Sequence, residues 1–323
     1  MPLTDDARWM AAAAALAERA RPLASPNPGV AAIIVKHGVV IGRGWTLTGG
    51  RPHAEAVALD HAGSAAKGAT LYVTLEPCAH QSQRGPACAD LVAEAGLARV
   101  VIGMDDPDPR TAGSGTAHLQ DAGAEVTLLH WDPACLGLSG HAAHLAKSRP
   151  HVTLKLAMSL DGCIATSSGE SQWITGATSR AHGHRERARA DAILVGGGTL
   201  RADAPRLDVR LAGLEGRSPR RVALTSREVP EGWQAIRSPQ EVTALDGVRY
   251  LMVEGGAQTA SAFLKAGLVD RLLIYRAPVL LGGGTHAIGN IGHETLEQAF
   301  ADGLAMQDRR TLGSDTLEVY QRG

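Results

Sequence analysis

No sign of charge prevails in this chain. Its 32 basic and 33 acidic residues leave a formal net charge of -1, which offers little to a phosphate backbone and argues against a nucleic-acid partner. It lacks any run of about 18 uninterrupted apolar residues, so neither a transmembrane helix nor a membrane partner is expected. The first residues, Met1-Pro2-Leu3-Thr4-Asp5-Asp6, are acidic where a secretory leader is basic, and no signal peptide is expected. Cysteine is scarce: the four occur at 78, 88, 135 and 163, a spacing unlike a disulfide framework, which points to a reducing cytoplasm. Internal repeats and low-complexity tracts are absent as well.

What is present is core-forming material. With 323 residues, 44% hydrophobic and 20% charged, the composition is that of a soluble globular protein long enough for two domains, each with its own core. Residues 6–20 place Trp9, Met10, Ala13, Leu16 and Ala17 at helical spacing, which predicts an amphipathic helix ending near Arg21-Pro22. Ser25-Pro26-Asn27-Pro28-Gly29 must then be irregular, because prolines donate no ladder hydrogen bond. A hairpin is predicted over residues 30–35 and 39–42, turning at Lys36-His37-Gly38. Further strands are predicted from residue 70 to Glu76 and over 99–103 and 124–129, with helices over 54–62, 88–95 and 116–122. This alternation implies a layered α/β domain with a mixed sheet, ending after a polar helix-like stretch near residues 147–150. A second α/β domain follows. Its strands are predicted at 151–156, 192–196, 221–225, 250–254 and 271–276, with helices at 179–190 and 258–266.

Chemistry concentrates first in His53-Ala54-Glu55, Pro77-Cys78 and Pro86-Ala87-Cys88. Zinc favours imidazole and thiolate donors, and a catalytic zinc keeps three protein ligands with water in the fourth position. Bound zinc lowers the pKa of that water toward neutrality, and Glu55 is placed to carry the proton. Residues two apart on a regular helix face different sides, so His53 and Glu55 converge only if His53 sits at an irregular helix start, which Pro52 before it suits. Cys88 opens a helical run, where exposed N–H groups favour a thiolate. The motif H-x-E followed by P-C-x-x-C marks zinc deaminases, but here nine residues separate Cys78 from Cys88.

That long loop, with Thr74-Leu75-Glu76-Pro77-Cys78-Ala79-His80, Pro26-Asn27-Pro28, Asp106-Pro107-Asp108-Pro109 and Gly113-Ser114-Gly115, resembles the bifunctional deaminase-reductase family of riboflavin biosynthesis, the RibD family. The likeness runs from about residue 6 to the last strand. It implies a cytidine deaminase-like three-layer domain with a mixed sheet over residues 1–147, and a dihydrofolate reductase-like α/β domain over residues 148–323. His53, Cys78 and Cys88 would then hold one zinc ion per chain, with Glu55 as the catalytic proton shuttle. Asn27 and His80 look like substrate contacts, and Arg84 either contacts a phosphate or is a solvated loop charge. Two departures stand out: Thr46 occupies the place of a usual histidine, and the inter-cysteine loop is typically one residue shorter.

In the second half, Lys155-Leu156-Ala157-Met158-Ser159-Leu160-Asp161-Gly162 and Ser168-Gly169-Glu170-Ser171-Gln172-Trp173-Ile174-Thr175 resemble the reductase of the same family. Read by themselves, Val195-Gly196-Gly197-Gly198-Thr199 and Val253-Glu254-Gly255-Gly256-Ala257 are strand ends passing into glycine turns, which let backbone N–H groups approach a phosphate. The resemblance implies that Ala157, Trp173, Thr199, Asp203, Gly256, Ala257, Gln258, Thr259, Ala260, Ser261 and Ala262 lie against NADPH. It places Ser171, Arg187, Leu207, Arg210 and Glu254 against the substrate. Arginine suits a phosphorylated substrate because its guanidinium binds phosphate through two parallel hydrogen bonds, although a helix this rich in arginine also reads as a solvated face. Asp203 reads equally as a proton donor, a cofactor contact or a cap for the turn at Ala204-Pro205, and Trp173 as a core residue. Cys163 stands where the family commonly has a basic residue, and residues 229–250 are short, as if a strand and a helix were missing.

The activity so implied is zinc-dependent hydrolytic deamination of a 5'-phosphoribosyl diaminopyrimidinone, then NADPH reduction of its ribosyl chain to the ribitylamino product. The resemblance also implies a homo-oligomer, dimer or tetramer. Three other readings stay open: a deaminase with an impaired reductase domain, a nucleoside or tRNA deaminase, and a non-catalytic zinc scaffold. Glu55 discriminates against the last, because a structural zinc site needs no proton shuttle and closes with a fourth protein ligand.

Overall fold

The computed structural model describes residues 5–80, 85–109, 111–130, 136–301 and 303–322. The chain divides into two compact units, Met1–Ser148 and Arg149–Gly323. Among the described residues no helix is long and apolar enough to cross a membrane.

The first unit comprises α1 (Asp5–Ala17), β1 (Ala31–Lys36), β2 (Val39–Trp45), α2 (Ala54–Ala62), β3 (Thr70–Val73), α3 (Cys88–Glu94), β4 (Arg99–Ile102), α4 (Ser114–Asp121), β5 (Glu125–Leu128) and α5 (Leu136–Lys147). Its five strands run in the order β2-β1-β3-β4-β5. Pairing is antiparallel from β2 to β3 and parallel from β3 to β5, so the sheet is mixed. Alternation along the strands feeds two cores. Ile33, Val35, Tyr72 and Val101 pack against Met10 and Ala13 of α1. Ile34, Leu71, Val73 and Ile102 face Ala54 and Ala58 of α2, Ala89 and Val92 of α3, and Leu119 of α4. The result is three layers. Helix α2 lies so close on β2 that a Cβ at Gly44 would stand 2.4 Å from the Ala54 carbonyl oxygen. A side chain there would push away the helix that carries Glu55.

The second unit comprises β6 (His151–Met158), β7 (Cys163–Ala165), α6 (Ala177–Arg187), β8 (Ala192–Gly196), α7 (Gly197–Asp203), β9 (Arg220–Leu224), β10 (Trp233–Ile236), β11 (Tyr250–Val253), α8 (Ala257–Lys265), β12 (Arg271–Arg276), β13 (Thr285–His286), α9 (Leu296–Ala301), β14 (Leu304–Leu312) and β15 (Asp315–Arg322). Its main sheet has eight strands in the order β10-β9-β8-β11-β6-β12-β15-β14. The first six are parallel, and β15 and β14 close the sheet antiparallel. Phe263 and Ala260 of α8 are buried against Leu154, Leu194, Leu251 and Leu272.

One expectation is corrected here. Residues 229–250 look short enough to lack a strand and a helix, yet they hold β10 and a 3-10 helix at Pro239–Ala244. Val242 and Ile236 from this segment are packed into the core, so a four-residue strand and a tight helix make the crossover from β9 to β11.

Candidate active sites

His53 is the N-cap of α2, with extended backbone (φ −72°, ψ 165°), and the helix starts at Ala54. Standing outside the helical repeat frees His53 to share a site with Glu55. Facing it are Cys78, in the loop after β3, and Cys88, the first residue of α3. His53 Nδ1 lies 3.2 Å from Cys88 Sγ and 3.6 Å from Cys78 Sγ. All three donor atoms fall within 4.8 Å of one another. One imidazole and two sulfurs match the donor set of a catalytic zinc and leave a coordination position open, so these residues fit the ion. On the other side of the ring, Asn27 Nδ2 lies 3.1 Å from His53 Nε2 and donates to the Gly50 carbonyl at 3.0 Å. An imidazole that ligates through Nδ1 donates its Nε2 proton, so the Asn27 amide can orient the ring by presenting its oxygen there.

Charge in this site follows from burial. Glu55 is buried, and burial pushes its carboxyl up against the pull of His53. The Cys78 thiol is held down at about 4, chiefly by the hydrogen bond from Cys88, and the Cys88 backbone N–H adds a donor at 3.5 Å. Cys88 is pushed up by that same bond, by burial and by Glu55. The free N–H at the start of α3 therefore serves Cys78 rather than Cys88, whose own sulfur is buried beside a carboxyl.

The remaining residues expected here are distributed around the cluster. His80 is exposed two residues beyond Cys78, and Arg84 lies outside the described residues. Thr46 is buried and turned to the backbone, its hydroxyl accepting the Val30 N–H at 3.1 Å. Glu76, in the same motif as Cys78 but with no role legible in the sequence, is a buried clamp. Its carboxylate accepts the backbone N–H groups of Asp106 (3.2 Å), Gly113 (2.9 Å) and Thr116 (2.9 Å). The two glycine and proline motifs around residues 106–115 are thereby tied to the chain segment that bears Cys78.

In the second unit a cavity of about 1040 Å³ opens around β6, β8 and β11. Ala157, Ser171, Trp173, Arg187, Thr199, Asp203, Leu207, Arg210, Glu254 and Gly256 all border it. Ligands of parallel α/β sheets bind at the carboxyl ends of strands, and Gly196 and Glu254 stand at two such ends. Ala257, Gln258, Thr259, Ala260, Ser261 and Ala262 belong to α8, and none is among the residues that border the cavity. Thr259 and Ala260 are buried, and Ser261 Oγ accepts the Gly289 N–H at 2.8 Å. Thr259 also gives the neighbouring glycines a packing reason: a Cβ at Gly196 would lie 2.2 Å from its Oγ1, and one at Gly255 2.4 Å from its Cβ. Trp173 is 65% exposed with the Arg180 guanidinium 4.9 Å over its ring, which removes the core reading.

Electrostatics here run the other way. Glu254 is largely withdrawn from water, its side chain 9% exposed, yet Lys155 and Arg187 outweigh that desolvation and hold its carboxylate at about 2. Arg187 donates through Nε to Oε1 at 2.6 Å and through Nη2 to Oε2 at 3.0 Å. Its fork is paired with this carboxylate. Lys155 Nζ lies 3.7 Å from Glu254 and 5.8 Å from the Tyr275 ring centroid. Lys155 borders the cavity and belongs to the site, although nothing in its motif assigns it a role; its signal is a lysine in the middle of the mostly buried strand β6.

A mixed sheet presenting a His/Cys/Cys cluster beside a buried glutamate, followed by an α/β unit with a large cavity at its strand ends, defines a zinc-dependent deaminase joined to a reductase. Residues 3–104 match the family model described as the cytidine and deoxycytidylate deaminase zinc-binding region, and residues 150–311 match the RibD C-terminal domain. The chain belongs to the RibD family of riboflavin biosynthesis proteins. It is 34% identical to the riboflavin biosynthesis protein RibD of Aquifex aeolicus, covering 98% of each chain. To that of Escherichia coli it is 38% identical, over 96% of this chain and 97% of the other. Among solved structures it is similar to RibD of Acinetobacter baumannii, with a TM-score of 0.82 at 34% identity, covering 98% of this chain and 99% of that one. A diaminohydroxyphosphoribosylaminopyrimidine deaminase/reductase of Thermotoga maritima gives a TM-score of 0.82 at 29% identity, covering 98% of both. The protein is a bifunctional enzyme of riboflavin biosynthesis, a zinc-dependent deaminase and an NADPH-dependent reductase acting on a small pyrimidine.

Proposed function

We propose that residues 1–147 remove an amino group from a 5'-phosphoribosyl diaminopyrimidinone and that residues 148–323 reduce the ribosyl chain of the product to ribityl. The observation that carries the first step is Glu55 buried beside the convergent His53, Cys78 and Cys88. When bound there, zinc supplies Lewis acidity at its open position. Glu55 takes a proton from the attacking water and returns it to the departing amine, a task suited to a carboxyl whose proton affinity burial has raised. Asn27 and His80 would contact the substrate, with Arg84 near its phosphate.

For the second step, NADPH supplies the hydride. Trp173, Thr199, Asp203, Ala157 and the segment from Gly256 to Ala262 would hold the cofactor, and Ser171, Leu207 and Arg210 the substrate. Arg210 is half exposed at the cavity, its Nε 3.4 Å from Asp208, and keeps donors for a phosphate. Glu254, kept anionic by Arg187 and Lys155, offers carboxylate oxygens to the substrate's N–H or O–H groups. Arg187 then acts through Glu254.

We place the enzyme in the cytoplasm, whose reducing conditions keep the two cysteines available as thiolates. We also infer a homo-oligomer, dimer or tetramer. In its support, β14 is a nine-residue strand at the sheet edge, and Leu296, Phe300 and Met306 near it in sequence are 77%, 81% and 58% exposed. The deciding experiment measures ammonia release and NADPH oxidation separately on the full-length protein. Both should proceed. Failure to consume NADPH when the deaminated intermediate is supplied would refute the bifunctional reading, and a monomer in sedimentation velocity would refute the oligomer.

A further inference from the structure

The second unit carries another cleft, of about 650 Å³, bordered by Arg206, Asp208, Ser218, Arg220, Arg221 and Trp233. Its volume lies in the range of small-molecule sites. Arg206 and Leu207 border both this cleft and the larger cavity, so residues 206–208 form a wall between the two. That wall is held without an occupant. Arg187 Nη1 donates to the Asp208 carbonyl at 3.1 Å, and His184 Nδ1 lies 3.2 Å from the same oxygen. On the cleft side, Ser218 Oγ accepts the Val209 N–H at 3.0 Å and donates to the Glu215 carbonyl at 2.9 Å.

Positive charge is in excess here. Among the described residues Asp208 is the one carboxylate bordering the cleft, and it already pairs with Arg206 at 2.8 Å and with Arg210 at 3.4 Å. Arg220 donates to a neutral acceptor, the Asp246 carbonyl, at 2.6 Å. Among the described residues neither Arg220 nor Arg221 has a carboxylate partner. Arg221 is half-buried, with its guanidinium 5.6 Å from the Trp233 ring centroid. The turn before β10 makes room for it: Gly232 has φ +77°, and a Cβ there would stand 3.1 Å from Arg221 Nη2. Arg221 is thus held against the indole by a cation–π contact while its charge has no carboxylate beside it, which leaves guanidinium donors for an anion in the cleft.

We propose that this cleft is a second ligand site, which takes a phosphorylated planar heterocycle of mononucleotide size. Arg220 and Arg221 hold the phosphate, and Trp233 supplies an aromatic surface for the ring. It is separate from the two sites of catalysis, and it stands or falls independently of them.

The test is calorimetric titration of the full-length protein, with and without saturating NADPH, using adenosine 5'-monophosphate and, in parallel, inorganic phosphate. The nucleotide should bind equally well in both cases and more tightly than phosphate alone. Arg221→Gln and Arg220→Gln should each weaken both probes by about tenfold or more, the worth of a charge-assisted hydrogen bond. Trp233→Leu should weaken the nucleotide and leave phosphate unchanged. Thermal melting of each variant identifies a misfolded one, and the other arginine variant then carries the measurement. Competition by NADPH would assign the nucleotide to the cofactor cavity and overturn the proposal. So would the absence of binding at millimolar concentration, equal affinity for the two probes, or affinity unchanged in both arginine variants.

Discussion

Each unit of this protein sets one glutamate at the centre of its site, Glu55 buried and Glu254 largely so, and the two have opposite fates. Glu55 has His53 as its main favourable influence, burial prevails, and the carboxyl is pushed toward its protonated form. Glu254 meets the same cost of burial but faces Lys155 and Arg187, and its carboxylate is held at about 2. The difference shows that burial sets the price of a charge while the neighbouring cations decide whether the charge persists. It also matches the two tasks. A group that must accept and release a proton gains from a raised proton affinity, whereas one that must only accept hydrogen bonds gains from a permanent charge.

The strongest way to break this contrast is Glu55→Gln. With the proton carrier gone and the three metal ligands intact, ammonia release should fall by about a hundred- to ten-thousandfold. Zinc content, measured by atomic absorption, should stay at about one per chain, and NADPH oxidation with the deaminated intermediate supplied should not change. Retained ammonia release would remove Glu55 from the mechanism.

Arg187→Ala tests the other half of the contrast. It strips the bidentate partner from Glu254 and leaves its largely desolvated carboxylate to Lys155 and His184, which should cost up to about 3 kcal/mol of stability. Hydrogen exchange resolved by peptide should localise the loss to residues 149–323. Adding Glu254→Gln should recover part of it, since a neutral amide needs no counter-charge. A double variant no more stable than the single one would show that the pairing is not what holds this region.

The smallest expected effect is on pH dependence. His182 lies among Arg185, Arg271 and Arg310 as well as Glu186, and burial lowers its pKa from 6.5 to about 4. Across that window the unfolded chain binds a proton that the folded unit does not, so stability rises with pH and is lost on acidification from about pH 6.5 downward. Asp270, held at about 2 by Arg149 and neighbouring groups, and Glu254 extend the loss from the ordinary carboxylate range down to about pH 2. Peptide-level protection against exchange should weaken in the second unit as pH falls through the upper window, and His182→Phe should flatten that part. A profile unchanged by the substitution would take His182 out of this account.

Much of the framework is legible along the chain. Helix α2 and strands β8 and β12 begin and end where their spacing predicts, because each is an uninterrupted apolar pattern bounded by turn residues. The hairpin of β14 and β15 does not announce itself. Met306-Gln307-Asp308-Arg309-Arg310 carries no apolar alternation, and the strand persists because β15 pairs along its length. Strand β10 is hidden for a related reason: Trp233-Gln234-Ala235-Ile236 is neither a continuous apolar run nor a strict alternation. At the zinc cluster the donor residues are legible as motifs, and their convergence follows from His53 capping a helix that Cys88 faces from the start of another. At the reductase cavity the individual residues are legible, but Arg187 reads as one arginine among several on α6, and its union with Glu254 spans 67 positions.

Sequence alone determined which atoms are available: an imidazole, two thiols and a carboxyl in one half, glycine turns and a lysine-bearing strand in the other. Donor chemistry and element order are properties of residues and their near neighbours, and no folding is needed to read them. Only the tertiary structure decided the charge of Glu55 and Glu254, the sulfur that the α3 N–H serves, and the cleft in which Arg221 lies without a carboxylate. These depend on burial and on partners distant in the chain, and an electrostatic balance of that kind exists only once the chain has folded.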